Sequence, residues 1–543
     1  MFTTPAEIYE HSFRVHSALP AVQEDARSFT YRDLWVWSDA VMRQLRGLGL
    51  VSGDVVGIFA ANRAEWIVGE SAIARLGMVR TPANFMSALE TVAYQLQYAE
   101  AKVLLTDYDL GTALLPHLPA EGGPVLVQLS DPQGRSIPGA VPLAEMPGEE
   151  AEPDRTEHVV DPDARSGIFF TGGTTGRPKA VAHTARSAAA ALYIQMVEAE
   201  ISAGERMLVM TPLAHSGGAL AAAGIGRGAH VRILEEFDAQ RSVDLLREEA
   251  ITWTFMVPTM IYRVLDLLDA QSPDGTPEAG RAVLSLRTVV YGAAPMSPAR
   301  LAHGLRLLGQ VFVQLYGQTE APQFCTRLSK LDHDPARPEL LASCGNPSLF
   351  TEVRVTDDSG AEVPRGELGE ITVRTPFALT EYIGNPEATA EKFWDGWVRT
   401  GDMGVMDDAG YVYLKDRRND MIISGGFNVY SREVEDVLSA HPQVAQAAVI
   451  GVPHPDWGEA VHAVVVPREL PEDTGSPTAS APVTGASPLT AEALLAHSRD
   501  GLARYARPKT VEFADALPQT PFGKIDKKAL RAPHWEGASR QIG

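Results

Sequence analysis

The sequence predicts an α/β protein. Layered sheets and helices fill most of a large N-terminal domain, a small barrel-like β subdomain follows, and a small α+β domain closes the C-terminal end. Three observations carry this expectation. Helical and strand patterns alternate through most of the 543 residues, which argues for helices layered on largely parallel sheets. From Thr351 to Arg374 the strands instead come close together, with turns between them. Near Asp416 to Asp420 a cluster of charges separates two apolar strands, and a new helix and strand follow.

Taken in order, Ser38 to Leu48 has the amphipathic spacing of a helix, and Val55-Val56-Gly57-Ile58-Phe59 reads as a strand. A second helix, Glu65 to Leu76, and the strand Val103-Leu104-Leu105 continue the alternation. Ile168-Phe169-Phe170 reads as a short buried strand, and Val311-Phe312-Val313 as another. Glu352-Val353-Arg354-Val355 and Gly369-Glu370-Ile371-Thr372-Val373, with the turn Asp358-Ser359-Gly360, predict a small antiparallel barrel or sheet. Val434 to Leu438 reads as a helix and Ala447 to Val452 as a strand. The domain boundary is therefore expected between residues 1–417 and 418–543. Arg468 to Pro488 is rich in Pro, Ser, Thr, Ala and Gly. It cannot bury enough apolar surface to offset its ordering entropy, so a flexible excursion is expected there. No repeat of 20 to 50 residues is present.

Composition narrows the function classes. The formal net charge is −22, a sign that repels nucleic acid and anionic lipid as general partners. Any nucleotide site must then build its own local positive field. The start, Met1-Phe2-Thr3-Thr4-Pro5-Ala6-Glu7, lacks the basic and apolar regions of a signal peptide. No apolar run approaches the roughly 20 residues of a membrane span. Cys325 and Cys344 offer no metal-site spacing and fit small core residues in a reducing cytoplasm.

The richest stretch is Phe170-Thr171-Gly172-Gly173-Thr174-Thr175-Gly176-Arg177-Pro178-Lys179. Three glycines let backbone N–H groups approach an anion, three threonines add hydroxyls, and Arg177 and Lys179 add positive charge. This is a phosphate-holding loop without the Gly-Lys-Ser/Thr of a Walker loop. Tyr316-Gly317-Gln318-Thr319-Glu320 follows an apolar strand. Trp397-Val398-Arg399-Thr400-Gly401-Asp402 puts an acid in an expected turn. Asp416-Arg417-Arg418-Asn419-Asp420 leads into Met421-Ile422-Ile423-Ser424-Gly425-Gly426. Pro518-Gln519-Thr520-Pro521-Phe522-Gly523-Lys524-Ile525 places one lysine on a Gly-containing turn.

In this order and rough spacing the five motifs resemble the adenylate-forming superfamily of acyl-CoA synthetases, carrier-loading adenylation domains and luciferases. The resemblance runs from Ser28-Phe29-Thr30-Tyr31 to Leu530-Arg531. It implies ATP, Mg²⁺ and coenzyme A as cofactors and co-substrates, and a C-terminal domain that moves as a lid. It further implies that Thr171, Gly172, Gly173, Thr174, Thr175, Gly176 and Lys179 cradle the ATP phosphates. Glu320, with Thr175, would hold the metal, and Thr319 would touch the α-phosphate. Tyr316, Gly317 and the backbone of Gly292, Ala293 and Ala294 would line the adenine slot. Asp402 would accept the ribose hydroxyls, Arg417 would contact ribose or phosphate, and Lys524 would be the lysine of adenylation. Asn419 stands at the hinge, and Gly425 and Gly426 fall where CoA binds.

His215 occupies a family position near the acyl carboxylate and thiol entry, though a hydrogen-bonded core histidine fits the residue as well. No Asp lies between Thr211 and Phe237 to pair a substrate ammonium, which argues against an amino acid. Gly217, Gly218 and Ala219 begin a helix of small residues that lines the acyl pocket in the family. Open volume for a bulky carboxylic acid and close helix packing are both consistent with it. Three positions depart from the family pattern: Gly172 stands where Ser is usual, Ala180 where Gly is usual, and Asn419 where Asp or Lys is usual. The expected function is a ligase that makes an acyl-adenylate and passes the acyl group to CoA. The alternatives are thioesterification alone from an adenylate made by a partner ligase, loading of a separate carrier protein, or a nucleotide-binding pseudoenzyme.

Overall fold

A computed structural model describes residues 2–156, 158–171, 178–271, 285–417, 420–468, 489–520 and 524–536. Four sheets organise the chain. The first has eight strands, in the order Glu381–Tyr382, Ala180–Thr184, Arg165–Phe170, Val79–Pro82, Val55–Phe59, Val103–Thr106, Val125–Gln128, Val141–Pro142. It is parallel from Arg165–Phe170 onward and antiparallel at the other edge. The second has nine strands, with a parallel centre from Pro20–Glu24 to Phe312–Gln318. On one side Ala321–Leu328 pairs antiparallel with Phe312–Gln318, and the short strand Asn346–Pro347 pairs antiparallel with it at the edge.

The helices Tyr31–Gly47, Ala64–Arg75, Ala185–Glu198 and Ser216–Arg227 lie between these two sheets. One core cluster joins Val56, Ile58 and Leu105 of the first sheet to Val209, Val231 and Trp253 of the second, through side chains of those helices. Burial on both faces explains why Ala64–Arg75 is buried nearly all round.

The first helix starts at Tyr31, seven residues before the position that periodicity suggests. Thr30 caps it: Thr30 Oγ1 accepts from the Asp33 N–H at 3.1 Å, and Asp33 accepts from the Thr30 N–H at 2.7 Å. The run Trp35-Val36-Trp37 is buried on every side, so no amphipathic stripe marks this turn.

The third sheet has five antiparallel strands, among them Glu352–Thr356, Gly369–Arg374, Trp397–Met406 and Val412–Arg417. The fourth also has five strands and starts at Ile422–Ser424. Its hairpin Ile422–Ser424 with Phe427–Val429 turns at Gly425 and Gly426, with φ of +60° and +82°. Two consecutive left-handed residues make the tight turn that glycine accepts most readily. Asp416, at the end of the third sheet, accepts from Ser431 N at 2.6 Å and Ser431 Oγ at 2.7 Å. That carboxylate ties the third sheet to the helix Ser431–Ser439 of the C-terminal part.

Two placements differ from expectation. Tyr316 and Gly317 lie inside the strand Phe312–Gln318 rather than beyond its end. Asp402 lies inside the ten-residue strand Trp397–Met406, not in a turn. Gly401, at φ +78°, and a register shift between Met403 and Gly404 bend that strand locally, so the Thr-Gly-Asp sequence reads like a turn while staying in the ladder. Gly172, Gly173, Thr174, Thr175, Gly176 and Asn419 lie outside the described residues, as do 469–488 of the expected flexible excursion. Arg468 itself donates its N–H to Gln443 O at 2.8 Å. Cys325 and Cys344 are buried, and burial raises both thiols. Among the described residues no helix is long and apolar enough to cross a membrane.

Candidate active site

The site forms where the two large sheets and the third sheet meet. The strands Arg165–Phe170 and Ala180–Thr184 pair antiparallel, and the Thr171 N–H donates to Lys179 O at 3.0 Å. The ends of the phosphate loop are thus held together at its neck. Lys179 Nζ lies 5.0 Å from the Tyr382 ring centroid, a cation–π distance. Tyr382 Oη donates to Glu320 Oε1 at 2.5 Å. Lys179, Tyr382 and Glu320 therefore form one continuous group.

Glu320 sits at the turn between two antiparallel strands of the second sheet and is 7% exposed. Its backbone O accepts from Leu379 N at 2.7 Å. His183 Nε2 lies 2.9 Å from Thr319 O and donates to it, since a carbonyl can only accept.

Tyr382 is the residue that sequence reasoning missed. It lies in a two-residue strand paired to Val181, too short for any periodicity to mark it. The signal nearby was a helix start: Asn385 caps the helix Pro386–Lys392. Lys392 Nζ then donates to Gln318 Oε1 and Thr400 O, both at 3.1 Å.

On the neighbouring side, Tyr316 Oη donates to Asp402 Oδ2 at 2.7 Å. Burial first, and the Asp402 charge second, push the Tyr316 hydroxyl well above its ordinary pKa. Asp402 also faces Arg417 across the ladder. Gly292, Ala293 and Ala294 follow the strand Thr288–Tyr291 and lie against the strand bearing Tyr316. A Cβ on Gly292 would stand 2.4 Å from Leu315 O, so only glycine fits. Ala293 has φ +64°, a strained value held by its surroundings. A Cβ on Gly317 would stand 2.5 Å from the Gln323 N.

His215 sits immediately before the helix Ser216–Arg227. Desolvation of its ring, and next the ammonium of Lys524, lower its pKa to about 3. The imidazole is neutral at physiological pH, and the charge of Lys524, distant in sequence, disfavours its protonation. Lys524 is bonded back to Thr520. Its N–H donates to Thr520 Oγ1 at 3.3 Å, and its O accepts from Thr520 N at 2.7 Å.

The small-residue helix has a packing reason. A Cβ on Gly217 would lie 2.4 Å from Thr211 Oγ1, and one on Gly218 only 1.9 Å from Leu213 O. On Gly224 it would lie 2.3 Å from Met207 Sδ. These glycines admit neighbouring atoms, whereas Ala219 is only partly buried. The Thr211 and Leu213 backbone is itself clamped by Asn62, which donates to Thr211 O at 3.0 Å and accepts from Leu213 N at 2.8 Å. Gly218→Ala should therefore lower stability by about 1–3 kcal/mol in urea unfolding. An unchanged midpoint would return the helix to a pocket-lining role alone.

His183 and His333 are also held neutral. Burial lowers each to about 4. The His333 ring accepts from Tyr291 Oη at 3.0 Å and donates to Ser329 O at 2.7 Å, a pattern only the neutral form can make. The unfolded chain protonates these rings near pH 6.5, while the folded chain resists to about pH 4. Stability should thus fall as pH drops through that window, by on the order of 3 kcal/mol per ring. Urea unfolding at pH 7, 5.5 and 4.5 checks this, and a flat profile contradicts it.

Residues 9–383 match the AMP-binding enzyme family, and residues 433–524 match the AMP-binding enzyme C-terminal domain. The chain belongs to the AMP-binding enzyme family. This AMP-binding enzyme is 38% identical over 519 residues to the medium/long-chain-fatty-acid–CoA ligase FadD8 of Mycobacterium tuberculosis, covering 92% of this chain and 85% of the relative. It is 35% identical over 513 residues to a feruloyl-CoA synthase of an Amycolatopsis species, covering 94% and 95%. Among solved structures it resembles the amide bond synthetase McbA from Marinactinospora thermotolerans. The TM-score is 0.83 at 32% identity, and the match covers 97% of this chain and 99% of that one.

Proposed function

We propose that this AMP-binding enzyme is an AMP-forming acyl-CoA synthetase for a bulky apolar carboxylic acid, working in the cytoplasm. It activates the acid with ATP and passes the acyl group to CoA. The observation that carries the reading is the linked group Lys179–Tyr382–Glu320 beside the Tyr316–Asp402 pair, which gathers the side chains for phosphate, metal and ribose in one place.

The chemistry follows from residue types. A carboxylate is a poor electrophile, so its oxygen attacks the α-phosphorus of ATP and pyrophosphate leaves. Thr171 to Gly176 and Lys179 donate to the phosphates, and Thr319 to the α-phosphate. Tyr316, Gly317 and Gly292–Ala294 hold the adenine, while Asp402 takes the ribose hydroxyls with Arg417 beside it. A buried carboxylate at the phosphate end offers the hard oxygen that Mg²⁺ prefers, so Glu320 with Thr175 would hold the ion. When bound, Mg²⁺ neutralises triphosphate charge. Lys524 supplies positive charge to the oxygens of the transferring phosphorus. His215, being neutral, orients the acid's carboxylate by hydrogen bonding and not by charge. We assign 1–417 and 418–543 as the two domains, with Asn419 as the hinge. Rotation there would replace Lys524 by Gly425 and Gly426, which line the path of the CoA arm.

Tyr316→Phe should raise the KM for ATP about tenfold with little change in kcat, because the hydrogen bond it removes positions Asp402. ATP–pyrophosphate exchange at varied ATP measures this, and a fall in kcat alone contradicts it.

Mass spectrometry with Mg²⁺-ATP, CoA, medium- and long-chain fatty acids and hydroxycinnamic acids tests the whole reading, with synthetic acyl-AMP as a parallel substrate. Acyl-CoA from free acid supports it. Acyl-CoA from acyl-AMP only would mean that Gly172 or Asn419 has silenced the first step, with a partner ligase supplying the adenylate. Acyl-AMP without acyl-CoA would point to another acceptor. The structural likeness to an amide bond synthetase favours an amine as that acceptor, and a carrier protein is the other to test.

A further inference from the structure

The C-terminal sheet carries a side-chain cluster that the ligase chemistry does not use. His462 lies in the strand Gly458–Pro467, Glu512 in its parallel neighbour Thr510–Phe513, and His534 in the short helical turn Ala532–His534. One ligand atom from each of the three lies within 4.8 Å of the others. The two imidazole rings are 5.0 Å apart at 55°, so neither stacks on the other.

The arrangement around His462 suits a metal ligand. His462 is 6% exposed, and its Nδ1 is 2.7 Å from Thr510 Oγ1. Thr510 Oγ1 can accept from Nδ1–H, and in that tautomer, the one a metal on Nε2 requires, Nε2 carries the lone pair. Nε2 is buried and has no hydrogen-bond partner, although Glu512 Oε2 lies 3.4 Å away. In that tautomer a lone pair faces the carboxylate oxygen, and a metal cation between them, like a proton, turns the contact from repulsive to attractive. An oxygen partner on the far ring nitrogen is the usual support of a metal-ligating histidine. The third group, His534, is exposed and held nearby. Adjacent Trp535 donates Nε1–H to Gly451 O at 3.0 Å, and Arg531 pairs with Asp420 at 2.8 Å.

We propose that His462, Glu512 and His534 bind a divalent transition-metal ion of the zinc type. Two imidazoles and one carboxylate match the nitrogen and oxygen preference of Zn²⁺. The exposure of Glu512 and His534 leaves the fourth position to water. The ion would clip the segment 524–536, which begins with Lys524, onto two strands of its own sheet. It is separate from the Mg²⁺ expected at the phosphates, since two imidazoles are poor ligands for so hard a cation.

The test uses untagged full-length protein stripped with a chelator, then titrated with Zn²⁺ by calorimetry and with Co²⁺ by visible absorption. His534→Ala and Glu512→Gln change exposed residues, so folding is retained. His441→Ala is the control, because the His441 and His497 rings lie 5.1 Å apart with no third ligand beside them among the described residues. The expected result is one ion per chain, tetrahedral Co²⁺ bands, and a Zn²⁺-dependent rise in unfolding temperature. Affinity should fall at least tenfold in His534→Ala and Glu512→Gln and stay unchanged in His441→Ala. Equal binding by the parent and both site variants would overturn the assignment, as would no retention of Zn²⁺ by the parent.

Discussion

Lys524→Ala is expected to slow acyl-adenylate formation by about 10²–10³-fold, the usual loss when one preorganised charge is removed from an electrostatic site. Acyl transfer from synthetic acyl-AMP to CoA should stay near the parent rate. Negative charge grows on the phosphoryl oxygens only in the first step, so only that step needs the ammonium. The position of Lys524 depends on Thr520, whose two bonds to Lys524 are backbone or hydroxyl contacts that alanine keeps. The substitution therefore removes charge without loosening those bonds. It also withdraws the second cause of the lowered His215 pKa, so that ring should titrate closer to its ordinary range. Pyrophosphate exchange, thioester formation from acyl-AMP and the NMR titration of His215 together separate a chemical role from a structural one. Equal losses in both half-reactions would mean that Lys524 holds the domains together and does not act on phosphate.

Glu320→Gln should give the second largest effect, a loss of about 10²–10³-fold in adenylation together with a higher Mg²⁺ requirement. Glutamine has the same shape and can still accept from Tyr382 Oη, so packing is retained. What it lacks is the negative charge. A buried carboxylate is costly to hold away from water. Its replacement by a neutral amide should therefore leave the urea midpoint equal to or above the parent's. A more stable, less active protein is the outcome that assigns Glu320 to chemistry. A less stable protein with an unchanged Mg²⁺ requirement would make the acid a structural partner of Tyr382.

Local elements were largely legible. The strand Val55–Phe59 matches its reading from periodicity, and the helix Ala64–Arg75 does so to within one residue at each end. Both depend on side-chain spacing along a few turns or pleats, which the chain displays directly. The start of the first helix at Tyr31 was hidden because Trp35, Val36 and Trp37 are buried together, and a stripe cannot be read where every face is apolar. Asp402 was read as a turn residue because a bent strand and a turn use the same Gly-containing sequence.

The order of the motifs, the family they resemble and the kinds of charge at the site are legible in the chain alone. Those features are chemical and lie on short stretches of chain. Packing of the sheets is what joins Lys179 to Glu320 through Tyr382, sets Tyr316 on Asp402, and lets the Lys524 charge act on His215. It also keeps Gly217 and Gly218 small, because backbone and side-chain atoms of Thr211 and Leu213 press against them. The reason is the same in each case. The partners are brought together by sheets packing across a shared core, and no local pattern records which distant atom a side chain will meet.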